Sequence, residues 1–112
     1  MTTEPTLFDI APLVQPENDP TLTIQQRFEA FNEQNPWVLS ALEALIADWL
    51  AHGHRRAGIK QMFEVIRYRY GRETTDTSFR LNNNWTSRYA RLVVERHPDW
   101  AEAIETRNLR AA

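Results

Sequence analysis

The sequence predicts an all-α protein, a compact bundle of about five helices preceded by an extended N-terminal arm. Apolar residues recur at three- and four-residue intervals through most of the chain, and no segment shows the strict alternation of a half-buried strand. The helical patterns end at Gly53, at Gly71 and before Pro98, which are typical helix stops. A chain of 112 residues is the size of one domain that can form its own core. We therefore expect a single helical domain over residues 21–112.

Residues 1–20 form the predicted arm. Proline at four positions interrupts backbone hydrogen bonding there: Pro5, Pro12, Pro16 and Pro20. The arm also carries one apolar patch, made of Leu7, Phe8, Ile10, Leu13 and Val14. Such a patch docks on its own domain or serves as a short motif for a partner. Because the prolines keep the arm out of the helices, we expect a protein lacking residues 1–18 to remain folded.

The first two helices have clear start signals. Thr23 and Gln26 match a capping box, which places the first helix start near Thr23. Asn35 is a favoured cap for the second helix, and Pro36 occupies its first turn, where a missing N–H is harmless. Gly53 then ends this helix. Its wide apolar stripe comprises Val38, Leu42, Leu45, Ile46, Trp49 and Leu50.

The remaining helices follow from apolar periodicity. The third runs from about Gly58 to Tyr70, with Tyr70 in the core, Tyr68 half-buried and Gly71 as the stop. A polar loop follows over residues 71–81. The fourth helix begins within residues 82–84, ends before Pro98 and turns Trp85, Tyr89, Leu92 and Val93 inward. A short fifth helix carries Trp100, Ala103 and Ile104 on its inner face.

The composition excludes several classes of protein. The absence of cysteine excludes disulfides and thiolate metal sites, and no apolar run approaches the ~20 residues of a membrane helix. The N-terminus lacks the features of a signal peptide, so we expect a cytoplasmic protein. No glycine-rich phosphate loop occurs. Arg91 and His97 match the loose arginine–histidine spacing of some helical nucleases, but Leu92 replaces their usual polar residue. We expect a non-enzyme without metal or cofactor.

Charge is distributed very unevenly along the chain. The net charge is −2, yet residues 55–96 hold ten cationic residues against four acidic ones, a local charge of plus six. Such a region attracts polyanions. Residues 1–50 carry a charge of minus seven, which suits pairing with the basic half of a second copy in a homo-oligomer.

The basic region predicts a nucleic-acid site, with DNA favoured over RNA. The candidates that would dock on phosphates are Arg55, Arg56, Lys60 and Arg67, and those that would approach bases or adjacent backbone are Asn83, Asn84, Thr86, Arg88 and Arg91. With Trp85, Tyr89 and Leu92 inward, we expect Arg88 and Arg91 to be exposed. The arrangement is helix-turn-helix-like, although its connecting loop exceeds the usual turn of about three or four residues. The alternatives are a solvated basic face and a module that binds an acidic protein.

Three short motifs suggest a family. They are Gly-Ile-Lys with Phe-Glu-Val-Ile-Arg over residues 58–67, Phe-x-Leu-Asn-Asn-Asn at 79–84 and Ser-Arg-Tyr-Ala-Arg at 87–91. Together they resemble a family of small bacteriophage and prophage proteins, with similarity from about Phe28 to Arg110. The family has no assigned activity, so the resemblance implies only a phage gene product acting in the bacterial cytoplasm. It favours a DNA-binding accessory or regulatory factor, or a protein that binds a host or phage protein.

Overall fold

Four α-helices and one 3-10 turn form the fold in the computed structural model, which describes residues 8–16, 19–74 and 83–105. The helices are α1 (Ile24–Gln34), α2 (Pro36–Ala51), α3 (Ile59–Thr74) and α4 (Asn83–Arg96), and the 3-10 turn is Pro98–Trp100. The predicted all-α class is confirmed, and the described ranges contain no strand. The predicted fifth helix is only this 3-10 turn, since the residues after it do not continue a helix.

The ends of the helices follow the local sequence, with one exception. The capping box of α1 is present: the Gln26 N–H donates to Thr23 Oγ1 at 3.1 Å, and the Thr23 N–H donates to Gln26 Oε1 at 2.9 Å. The prediction that Gly71 stops α3 is wrong, because the helix continues to Thr74. A helical glycine costs only about 1 kcal/mol, which the packing of Tyr70 beside it can offset. Residues 75–81 of the predicted polar loop lie outside the described residues.

Helix α4 packs against all three other helices. Its Tyr89 ring meets Phe28 of α1 edge-on at 4.7 Å between centroids, and Phe63 of α3 at 5.5 Å. The Phe31 ring of α1 lies 6.1 Å from the Trp85 ring of α4, measured between centroids. Because higher numbers on α1 meet lower numbers on α4, the two helices run antiparallel. The core also includes Val38, Leu42, Ile46, Met62, Ile66, Tyr70 and Val93, while Trp49 and Leu50 are only partly buried.

The arm contributes to the core over its described residues. Phe8 is buried in the core, and Ile10 and Leu13 pack against it. The guanidinium of Arg69 lies 4.2 Å from the centroid of the Phe8 ring and donates to the Phe8 carbonyl at 2.7 Å. The Leu13 N–H donates to the Tyr70 hydroxyl at 3.2 Å. Phe8, Ile10 and Leu13 of the apolar patch therefore dock on the helical domain, whereas Val14 is exposed. The expectation that a protein lacking residues 1–18 remains folded stays a prediction.

Asn35 joins the arm to the junction between α1 and α2. It precedes α2 as predicted, but its side chain makes no capping bond to that helix. Instead, Asn35 is completely buried, and its Oδ1 accepts from the Val14 N–H at 2.7 Å. Its Nδ2 donates to the Val14 carbonyl at 2.7 Å and to the Phe31 carbonyl at 3.0 Å. A short amide carries both a donor and an acceptor, so it can satisfy both backbone groups of one extended residue.

We predict that Asn35→Ala lowers the free energy of unfolding by about 2–4 kcal/mol, because three hydrogen bonds are lost and a buried carbonyl loses a partner. The neighbouring Gln34→Ala is the control, since Gln34 is exposed and should change stability by less than about 0.5 kcal/mol. Urea unfolding followed by tryptophan fluorescence measures both. Equal stability of the two variants would show that the arm is not held through Asn35.

Candidate nucleic-acid interface

The connection between α2 and α3 presents two arginines on a firmly held backbone. Gly53 ends α2 with a φ of 95°, a conformation that favours glycine. The Trp49 Nε1–H then donates to the Arg56 carbonyl at 2.7 Å, and the N–H of buried Ala57 donates to the Ala103 carbonyl at 3.0 Å. Both bonds are made by the peptide group that joins Arg56 to Ala57, so the backbone is held at that point. The side chains of Arg55 and Arg56 are exposed.

The outer face of α3 continues this basic surface. Its core-facing residues are Ile59, Met62, Phe63, Ile66 and Tyr70, and its exposed residues include Lys60, Gln61, Glu64, Val65, Arg67, Tyr68 and Arg72. The twelve-residue rise from Lys60 to Arg72 is about 18 Å. Arg67 donates to Glu64 at 2.9 Å, but both side chains are mostly exposed, so Arg67 stays accessible. Within the described ranges, no acidic side chain pairs with Arg55, Arg56 or Lys60.

Tyr68 lies fully on this face and is not half-buried as predicted. Its exposed fraction is 66%, and the Arg72 guanidinium lies 5.7 Å from its ring centroid. Val65, one turn earlier, is 40% exposed. An exposed aromatic ring beside cations can stack on a nucleobase while the cations contact phosphate. We define Arg55, Arg56, Lys60, Arg67, Tyr68 and Arg72 as the α3 basic surface.

The second group of predicted site residues lies on α4. Asn83 and Asn84 begin α4, but their side chains lie outside the described part of the chain. Thr86 is partly buried, and Arg91 is exposed as predicted. The connection carrying Arg55 and Arg56 contacts Ala103, beyond the end of α4. Thr86 lies ten residues before that end, about 15 Å away along the helix.

The prediction that Arg88 is exposed is wrong, since only 6% of its surface is accessible. The prediction assumed that α4 buries a single stripe. In the structure α4 is covered by three helices, so Arg88 and Ala90 are buried on either side of Tyr89. Arg88 is therefore not placed on an open face of α4, as a base-contacting residue of a recognition helix would be.

Arg88 lines a half-open groove between α1 and α4 with a volume of about 580 Å³. The full lining is Gln25, Phe28, Glu29, Asn32, Arg88, Arg91, Leu92, Val94 and Glu95. Two buried polar atoms here lack a hydrogen-bond partner among the described residues, Arg88 Nε and Asn32 Oδ1. No carboxylate of the described residues lies within 4.0 Å of the Arg88 nitrogens.

A polar cluster that the sequence did not reveal lies where α4 ends. Arg96 Nε donates to Glu43 Oε2 at 3.1 Å, and His97 Nε2 contacts the same oxygen. The His97 ring also stacks on Trp100 at 4.0 Å. The cluster ties the end of α4 to the middle of α2, which are 53 residues apart in sequence. No short-range pattern could have indicated it.

Comparison with protein-family models, with curated proteins and with solved structures found no match to this chain. No described helix is long and apolar enough to cross a membrane. Within the same residues, no group of three histidine, aspartate or glutamate side chains is placed to hold a metal ion.

Tyr89 supplies a test of the packing of α4. Its side chain is completely buried, its hydroxyl has no partner among the described residues, and burial raises the pKa of Tyr89 above the ordinary 10.0. Above pH 10 the unfolded chain therefore releases a proton that the folded chain keeps. The free energy of unfolding should fall there by about 1.4 kcal/mol per pH unit on account of this group.

We predict that Tyr89→Phe removes this alkaline contribution and leaves stability at pH 7 unchanged or about 1 kcal/mol higher, since an unpaired buried hydroxyl is deleted. Urea unfolding of both proteins at pH 7.0 and at pH values between 10 and 12 provides the comparison. The same loss of stability at alkaline pH in both proteins would mean that Tyr89 is not buried as described.

Proposed function

We propose that this protein binds nucleic acid, DNA in preference to RNA, through the α3 basic surface. The observation that carries the proposal is the group Arg55, Arg56 and Lys60, three exposed cations without an acidic partner among the described residues. Arg55 and Arg56 precede α3 and Lys60 lies in its first turn, where the free N–H groups of the helix add a partial positive charge. Phosphates favour such a position.

The rest of the surface extends the same binding mode. Arg67 and Arg72 continue the positive charge along α3, and Tyr68 offers an exposed ring between them. Phosphate contacts give affinity without sequence preference, and base stacking on tyrosine favours a single strand. The proposed site therefore excludes the buried Arg88 and does not depend on Asn83, Asn84, Thr86 or Arg91. The resemblance to phage proteins suits an accessory or regulatory factor acting on DNA in a bacterial host.

A second candidate is a module that binds an acidic protein of the host or phage. The observation that favours it is the pair Val65 and Tyr68, apolar groups exposed on the same face as the cations. A protein interface combines such apolar contacts with a charged rim. Salt dependence distinguishes the two candidates, because nucleic-acid binding releases condensed counterions and weakens steeply with salt.

We predict that Arg55→Ala with Arg56→Ala weakens binding to a fluorescein-labelled 20-nucleotide single strand. The slope of log K against log salt should fall by about 1.4, since each phosphate contact to a single strand contributes about 0.7. Fluorescence anisotropy between 50 and 200 mM NaCl measures the slope. Arg91→Ala with Arg96→Ala removes the same charge from exposed positions on α4 and should change the slope much less.

Tyr68→Ala supplies a separate readout in the same assay. It should weaken binding to the single strand by about 1–3 kcal/mol while leaving the salt slope unchanged, because a stacking contact releases no counterion. The matching duplex and an RNA strand of the same sequence give the preference among nucleic acids. Equal effects of the two double variants, or no salt dependence in the wild type, would reject the proposal.

A further inference from the structure

Arg88 is the one cation in the described structure that is more than nine-tenths buried, and its Nε has no hydrogen-bond partner there. Burying a guanidinium without a counter-ion is unfavourable, so such a group is normally paired with an anion. The described residues supply none within ion-pair distance. Arg88 lines the groove between α1 and α4, from which an outside anion can approach the accessible 6% of its surface.

The chemistry of the groove restricts that anion. Phe28, Leu92 and Val94 provide an apolar lining, and the volume of about 580 Å³ suits a small organic molecule. Glu29 and Glu95 also line it and offset the charges of its two arginines. A polyanion such as a nucleic-acid strand is therefore disfavoured, whereas a single negative group can reach Arg88. The planar fork of a guanidinium matches the two oxygens of a carboxylate.

Asn32 indicates a second feature of the ligand. Its Oδ1 is buried in the groove and lacks a donor among the described residues. An N–H beside the carboxylate of the ligand would satisfy it. Both unpartnered atoms belong to side chains that line the same groove.

We propose that the α1–α4 groove is a binding site for a small apolar carboxylate. Its carboxylate pairs with Arg88, an adjacent N–H donates to Asn32 Oδ1, and its apolar group packs against Phe28 and Leu92. This site is separate from the α3 basic surface, and it can be present whether or not that surface binds nucleic acid.

The test uses N-acetylphenylalanine as the probe and its neutral amide, N-acetylphenylalaninamide, as the matched control. Titrations followed by ¹H–¹⁵N correlation spectra should show the acid binding with a Kd of about 1 mM or tighter, at least about tenfold below that of the amide. Shifts should concentrate on the amides of α1 and α4. Inorganic phosphate, which has charge but no apolar group, should bind at least about tenfold more weakly than the acid.

Arg88→Met should abolish the preference for acid over amide and raise the melting temperature by about 2–6 °C, because an apolar side chain of similar length replaces an unpaired buried charge. Arg96→Met, on the same helix but outside the groove, should leave the preference intact. If Arg88→Met does not fold, Arg88→Lys keeps the charge but loses the fork and should bind the acid at least about threefold more weakly.

Three results would overturn the proposal. They are equal binding of acid and amide by the wild type, wild-type behaviour of the Arg88 variant (a full preference for the acid in Arg88→Met, or undiminished affinity for it in Arg88→Lys), and phosphate binding as tightly as the acid. Failure of the single strand to bind would reject the proposed function and leave this result untouched, because the two assays use different ligands and different residues.

Discussion

The packing of the Tyr89 ring between Phe28 and Phe63 is the interaction on which the rest of the arrangement depends. The ring meets aromatic groups from α1 and α3 at once, so it fixes both the rotation and the height of α4. Each such edge-on pair stabilises by about 0.5–1.5 kcal/mol beyond the area it buries. Arg88, which precedes Tyr89, is therefore buried beside the α1–α4 groove, and Arg91, which also lines the groove, is exposed.

The packing of α4 against three helices buries Arg88, while Arg91 and Arg96 of the same helix stay exposed. Among the described residues of the basic region, α3 has a long open face, because its apolar residues occupy one side and its cations the other. The arm contributes to this division, because Arg69 is drawn to Phe8 and Glu73 and is not part of the open face. The same arginine-rich segment thus serves the fold with some of its cations and leaves others to solvent.

Much of the fold could be predicted because its signals are local. The capping box at Thr23, the proline at the start of α2 and the apolar periods of α1 to α4 each depend on residues within about one or two turns. The position of the arm could not be predicted from the sequence, because it depends on long-range hydrogen bonds. Asn35 bonds to Val14, 21 positions away, and Arg69 bonds to Phe8, 61 positions away. The pattern could place Tyr70 in the core but not show that α4 has three helical neighbours, and that number decides whether Arg88 is buried.

Burial gives two arginines of the same helical protein opposite physical uses. An exposed cation such as Arg55 is surrounded by water and salt, so it attracts phosphates over a distance of about one Debye length with little selectivity. Arg88 lies where the dielectric is low and water is largely excluded, so it exerts almost no long-range attraction but rewards a close, correctly shaped anion. A sum of charges along the sequence gives Arg55 and Arg88 the same weight, although their surroundings differ. Recognition of a polyanion and recognition of a small carboxylate can therefore be built from the same residue type, and the packing of α4 determines which of the two each arginine can perform.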